Sequence, residues 1–250
     1  MLRSDLVRYL DRYLRIDDIA DYGPQGLQVE GAAEVTRIAF TVDAGLPCIE
    51  AAAKVGAQMQ VVHHGLFWGN IQPIRGPFGR RVARLIQTNL NLYAAHLALD
   101  AHPEVGNNAE LARLLELTVD SWFSETKGTD IGVIATAPEG LTVDALGAAL
   151  KARLGVEPRL LAHGPSTVHR VAIISGSGSD GIAEAAALGA DTFITGETSH
   201  SHFYEASDHG LNVFFGGHYA TETVGLKALG RHLNGKFGLE TVFIDLPTGM

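Results

Sequence analysis

A chain of 250 residues, 46% hydrophobic and 19% charged, holds enough apolar material for one large core or two smaller ones. Its net charge of −9 gives a surface that repels phosphate backbones, which speaks against nucleic acid as a partner. A single cysteine, Cys48, excludes an internal disulfide. The start, Met1 to Leu6, is amphipathic and unlike a signal peptide, and no apolar run reaches the roughly 18 residues of a membrane span. Together these predict a cytoplasmic protein that does not cross a membrane.

Residues 4–15 read as a helix, with Ser4 as N-cap and Leu6, Tyr9, Leu10 and Tyr13 as its apolar positions. Residues 23–31 read as a loop rich in turn formers. The chain then alternates: a strand over 38–42, a helix over 46–55 closed by Gly56, a strand over 59–62, a helix over 78–88, a strand over 90–95 and a helix over 107–117. Alternation of this kind predicts an α/β fold with mostly parallel pairing. Further on, 131–135 and the stretch from Val168 are apolar, and Thr142 is placed to cap a helix over 143–154. The domains are expected to be 1–125 and 126–250, with the C-terminal helix free to pack on the first.

The second half repeats the first. Residues 37–64 align with 170–197 at a constant offset of 133, with 8 identities in 28 positions, where ordinary composition gives about 2. We read an internal duplication of a strand–helix–strand unit, giving two similar α/β domains. Each half then continues into a further strand, 90–93 and 211–214, that runs into His-x-x-x-acid: His96 to Asp100, and His218 to Glu222.

Chemistry concentrates at these strand ends. Val61-Val62-His63-His64-Gly65 ends a β-branched strand in two imidazoles, at the edge where open α/β sheets collect functional groups. Adjacent strand residues face opposite ways, so both rings reach one centre only if the chain turns at Gly65; two neighbouring metals remove that difficulty. Imidazoles with carboxylates suit zinc, iron, manganese or nickel, and no thiolate competes, since Cys48 lies on the predicted helix. Glu197 and His200 of Thr195-Gly196-Glu197-Thr198-Ser199-His200-Ser201-His202 suit substrate binding or proton transfer, although helix capping accounts for the same segment equally well. Gly176-Ser177-Gly178-Ser179-Asp180-Gly181 matches a dinucleotide loop, with Glu197 where a ribose-binding acid would fall; its counterpart at Asp43-Ala44-Gly45 has one glycine and weakens that reading. Trp68 could stack a flat substrate, or pack on the core.

These motifs resemble the YbgI-like family of GTP cyclohydrolase type-two homologues, also described as dinuclear metal-binding proteins. The matching pieces are Gly26-Leu27-Gln28-Val29-Glu30-Gly31, Val62-His63-His64-Gly65-Leu66-Phe67-Trp68, Ala95-His96-Leu97-Ala98-Leu99-Asp100, Ser175-Gly176-Ser177-Gly178, Thr195-Gly196-Glu197 and Gly217-His218-Tyr219-Ala220-Thr221-Glu222. The resemblance runs nearly the full length, in the short form without a long insertion; the usual Ser before the final Glu is Thr221 here. It implies two α/β domains with two metals between them. His64, Asp100 and Glu222 would hold one metal, and His63 and His218 the other, with Glu222 bridging and His96 close by. It also implies a ring-shaped homohexamer. The expectation is a dinuclear hydrolase in which a hydroxide between the metals attacks a nucleotide-like or phosphorylated small molecule, with Glu197 or His96 moving the proton. The alternative is a metal-binding regulatory or assembly protein without turnover.

Overall fold

In a computed structural model that describes residues 1–70 and 72–249, the first helix, α1 (Arg3–Leu14), buries Leu6, Leu10 and Leu14, the i, i+4 stripe that one helix face presents. It starts one residue before the predicted cap. Leu2 is the N-cap, without a side-chain hydrogen bond, and the Arg3 N–H donates to the Ala33 carbonyl at 2.8 Å, so backbone does the work expected of Ser4. A strand, β1 (Gly26–Val29), lies inside the segment read as loop. There follow β2 (Arg37–Asp43), α2 (Leu46–Lys54), β3 (Met59–His64), α3 (Gly76–Gln87), β4 (Asn91–Ala94) and the single turn α4 (Leu97–Asp100).

The second unit contains α5 (Asn107–Leu114), β5 (Thr118–Thr126), β6 (Thr129–Thr136), α6 (Val143–Leu154), β7 (Arg159–Ala162), β8 (Arg170–Ile174), α7 (Ile182–Ala187), β9 (Thr192–Thr195), α8 (Phe203–Asp208) and β10 (Asn212–Phe215). The Thr142 hydroxyl caps α6 by accepting from the Ala145 N–H, as expected. The helix α9 (His218–Phe237) begins in this unit. From Gly225 onward it belongs to the first, which β11 (Glu240–Phe243) completes. The units are thus 1–105 with 225–246, and 106–224 with 247–250. The break falls at Val105 and not near 125, because α5 packs on β5, β6 and β8.

The first unit has a five-stranded sheet in the order β1-β4-β3-β2-β11, parallel except for β1. The second has six strands, β5-β6-β8-β9-β10-β7, of which β8, β9 and β10 are parallel. One arrangement recurs within both. Ile38 pairs with Met59, and Val171 with Thr192; adding 133 to the first pair gives the second. The same offset carries β1 onto β7, each antiparallel to the strand that follows the βαβ unit. That following strand opens on a buried Asn in both cases. Asn91 Oδ1 accepts from the Gly31 N–H (2.8 Å) and its amide donates to the Ala32 carbonyl (2.9 Å); Asn212 does the same with Gly164 (3.0 Å) and Pro165 (2.8 Å).

On the first unit, α1 meets the end of α9. Tyr9 Oη lies 2.5 Å from His232 Nε2, and the Tyr13 ring stacks on the imidazole at 4.2 Å. Burial, then the nearby Lys236 charge, pull the His232 pKa below 6.5, against the opposing pull of Glu104. The unfolded chain therefore takes up this proton first as pH falls. Stability should decline on going below about pH 6.5. His232→Gln should flatten the change in urea midpoint between about pH 7.5 and 5.5, and an unchanged slope would show that His232 does not contribute.

Candidate metal centre

Three histidines of the first unit stand at two strand ends. His63 and His64 close β3; His96 follows β4 and leads into α4, which carries Asp100. Parallel pairing of β3 with β4 and with β2 brings these ends side by side. One ligand nitrogen from each of His63, His64 and His96 lies within 4.8 Å of the others. Ring centroids are 4.9 Å apart for His63–His64 and for His63–His96, and 5.6 Å for His64–His96. Asp100 is buried, with Oδ2 3.7 Å from His63 Nε2.

Each ring is held from behind through Nδ1. His63 Nδ1 lies 3.0 Å from the Ala95 carbonyl, His64 Nδ1 2.9 Å from Asp43 Oδ1, and His96 Nδ1 2.9 Å from Asp21 Oδ1. An acceptor at Nδ1 favours the tautomer that carries its proton there, which gives Nε2 the ligand role. Burial alone would raise the Asp21 carboxyl. The hydrogen bond and charge of His96, with the Leu97 and Tyr22 N–H groups, outweigh it and hold Asp21 below its ordinary value.

In the second unit His218 and Glu222 occupy the first turns of α9, one above the other at i, i+4. His218 Nε2 lies 3.1 Å from Glu222 Oε1, and its Nδ1 2.9 Å from Glu197 Oε1. The hydrogen bond to Glu222 is the largest cause pushing the His218 pKa up to about 9, and Glu197 adds to it against the cost of burial. Gly176 makes room here. It sits at φ +63°, and a Cβ on it would lie 2.3 Å from Glu222 Oε1 and 3.3 Å from His218 Nε2. Thr221 supplies a hydroxyl here: its Oγ1 accepts from the Gly176 N–H at 3.0 Å and lies 2.9 Å from the Gly217 and His218 carbonyls.

The donor chemistry fits a divalent cation. Imidazole nitrogens suit borderline metals, and carboxylates add charge. In the second unit His218 and Glu222 turn donor atoms toward each other across 3.1 Å, with a proton between them where a cation could bind. Of the eight residues singled out for metal, substrate or proton transfer, His63, His64, His96 and Asp100 converge within one unit, and His218, Glu222 and Glu197 within the other, while His200 is exposed on the short turn 200–202. Sequence reading missed Asp21 and Asp43. The β2–β3 register sets Asp43 opposite His64, and Asp21 lies in a loop. The Gly176 loop also finds a packing explanation: a Cβ at Gly178 would meet Ile174 at 2.4 Å, and one at Gly181 would meet it at 2.6 Å. His202 Nε2 pairs with Asp180 at 2.8 Å and its Nδ1 lies 3.0 Å from Ser199 Oγ.

These features define a mixed α/β protein with imidazole–carboxylate groups at its strand ends that could hold metal. A family model described as Duf34/NIF3 (NGG1p interacting factor 3) matches residues 1–249, and the chain belongs to that family. A Deinococcus radiodurans relative described as a GTP cyclohydrolase 1 type 2 homolog is 45% identical over 248 residues, covering 99% of this chain and 94% of the relative. An Escherichia coli K12 protein of the same description is 40% identical, with 99% of each chain covered. The solved structure of protein ybgI, described as of unknown function, matches at TM-score 0.93 and 38% identity over 100% of both chains. A Thermus thermophilus structure matches at TM-score 0.90 and 43% identity, again over 100% of both.

Proposed function

We propose that this chain is a dinuclear, divalent-metal-dependent hydrolase of nucleotide-like or phosphorylated small molecules. The observation that carries the proposal is the convergence of His63, His64 and His96 with every ring locked through Nδ1. In this reading His64, Asp100 and Glu222 would hold one cation and His63 and His218 the other, and the two units are an internal duplication. The repeated register at offset 133 and the paired Asn91 and Asn212 support such a duplication.

Two such cations, when bound, would supply Lewis acidity and a nucleophile from water at neutral pH. The chain's own residues do the rest. Asp43, Asp21, Glu197 and the Ala95 carbonyl orient the four imidazoles. His96 is the group assigned to proton transfer. Glu197 shares that assignment, and its hydrogen bond to His218 adds an orienting role. Trp68, 37% exposed, lies 5.0 Å from the His96 ring and 6.0 Å from His64, with its indole N–H fixed on the Gly65 carbonyl, so a flat base could lie against it. The description shared by the relatives, GTP cyclohydrolase 1 type 2 homolog, supports a nucleotide-like substrate. The resemblance supports a homohexamer.

Elemental analysis of protein purified without added metal or chelator tests the proposal. Wild type is expected to carry about two metals per chain. Glu222→Gln, which keeps the size of the side chain and removes its charge, is expected to lose them and any phosphoester or nucleotide hydrolysis with them. A wild type that takes up no zinc, iron or manganese on titration would refute it.

A further inference from the structure

The segment Asp21–Gln28 has the composition of a turn-rich loop, yet its side chains hold the backbone on both sides of the histidine cluster. The Asp21 side chain, 2% exposed, accepts from His96 Nδ1 at 2.9 Å and from the Leu97 N–H at 3.0 Å. Gln25 Oε1 accepts from the N–H groups of His96 (3.1 Å) and Ala98 (3.0 Å), and its amide donates to the Ile19 carbonyl at 3.1 Å. These are the N–H groups that open α4, the turn carrying Asp100, and a four-residue helix has no internal partner for them. Gln28 does the same for the other strand end. Its Oε1 accepts from the Leu66 N–H at 2.7 Å, and its amide donates to the Pro24 carbonyl at 2.6 Å. Two glycines let the parts close. A Cβ at Gly65 would lie 2.4 Å from Gln28 Nε2, and one at Gly23 would lie 2.1 Å from the Phe67 carbonyl oxygen.

A second chain of hydrogen bonds reaches the site from the core. Buried Gln60 donates to Thr41 Oγ1 at 2.8 Å, and Thr41 donates to the Asp43 carbonyl at 2.8 Å. The Asp43 carboxylate then holds His64 at 2.9 Å. His64 is therefore set from two directions: Asp43 on its ring, and Gln28 on the turn that follows it.

We propose that the Asp21–Gln28 segment is the positioning frame of the histidine cluster and of the turn that carries Asp100, with Asp21 fixing the ring proton of His96 and that turn, and Gln28 fixing the turn after His64. None of these side chains is assigned to a metal; each acts through another residue. The inference rests on the metal reading above for its purpose, but its geometry can be tested without a metal.

Nitrogen NMR of the full-length, metal-free protein at about pH 8.5, well above the ordinary imidazole pKa, reads the ring proton directly. Wild type should carry it on Nδ1 of His96. Asp21→Ala should move it to Nε2 or divide it between the two nitrogens, while Asp21→Asn, which keeps an acceptor oxygen, should restore it to Nδ1. Cobalt(II) titration of the same folded proteins should show affinity falling about 10-fold in Asp21→Ala, because Asp21 holds the Leu97 N–H and with it the turn that carries the ligand Asp100. Gln28→Ala should weaken cobalt binding and leave the His96 proton in place. Asp21→Ala with its proton still on Nδ1 and wild-type cobalt affinity would overturn the proposal. So would a loss of cobalt that merely tracks the unfolded fraction by circular dichroism. Should Asp21→Ala fail to fold, Gln28→Ala decides through cobalt affinity in the same way. A wild type that binds no cobalt removes the metal reading and leaves the ring proton to decide the frame.

Discussion

Gly176→Ala should abolish metal uptake as fully as Glu222→Gln, and should also destabilise the protein. At φ +63° a non-glycine residue costs about 1–2 kcal/mol. The backbone cannot swing aside, because Gly176 is pinned on both sides. Its N–H donates to Thr221 Oγ1, and its carbonyl accepts from the Gly196 and Glu197 N–H groups at 2.9 and 3.0 Å. With Oε1 2.3 Å from the new methyl group, the Glu222 carboxylate is what must move, and it moves out of the position that pairs with His218. Gly235→Ala is the control. It lies on the exposed side of α9 with nothing within 4 Å of the added carbon, and should stabilise by up to about 1 kcal/mol through helix propensity. Thermal unfolding and metal content of the two variants check the pair; wild-type metal content in Gly176→Ala would show that Glu222 does not need this space.

The second large effect concerns the two buried asparagines. Asn91 is fully buried, and besides Gly31 and Ala32 it donates to the Gln58 carbonyl at 2.8 Å. Leucine would strand the Gly31 N–H and the Ala32 carbonyl, each worth about 1–3 kcal/mol where buried, while the Gln58 carbonyl keeps the backbone N–H of residue 91 at 3.0 Å. Both stranded groups belong to half-buried residues that water can partly reach, so we expect a loss of about 2 kcal/mol for Asn91→Leu. Asn212→Leu strands two groups and should cost about 2 kcal/mol. Urea unfolding gives both values. A loss under about 0.5 kcal/mol in either, the ordinary range for a surface substitution, would mean that the asparagine clasp does not hold its strand.

Much of this was legible in the sequence, for physical reasons that differ by element. α6 matched to the residue because a side-chain cap and a closing glycine bound an apolar stripe. The parallel central strands were legible because they are buried on both faces and read as continuous apolar runs. The strands that went unread, β1, β5, β7 and β11, all lie at or beside a sheet edge and are half exposed, so they show little apolar pattern. The candidate site divides in the same way. Residues that would bear metal stand at the ends of legible strands, whereas Asp21, Gln25 and Gln28 act from a segment whose composition reads only as turns. Asp21 reaches His96 across 75 positions of chain, a pairing no local pattern encodes.

Because α9 passes from one unit into the other and β11 follows it, the sheet of the first unit is the last to be completed during synthesis. The ribosome has made all of 106–224 before any of 225–246 exists. The second unit, all but its last four residues, can therefore fold while the first, begun earlier, still waits for its last helix turns and its outermost strand. During that interval β2 presents an unpaired parallel edge, which β11 later covers. A stop codon near residue 239 would leave that edge permanently bare, so a loss of only the last eleven residues is expected to send the chain into aggregates.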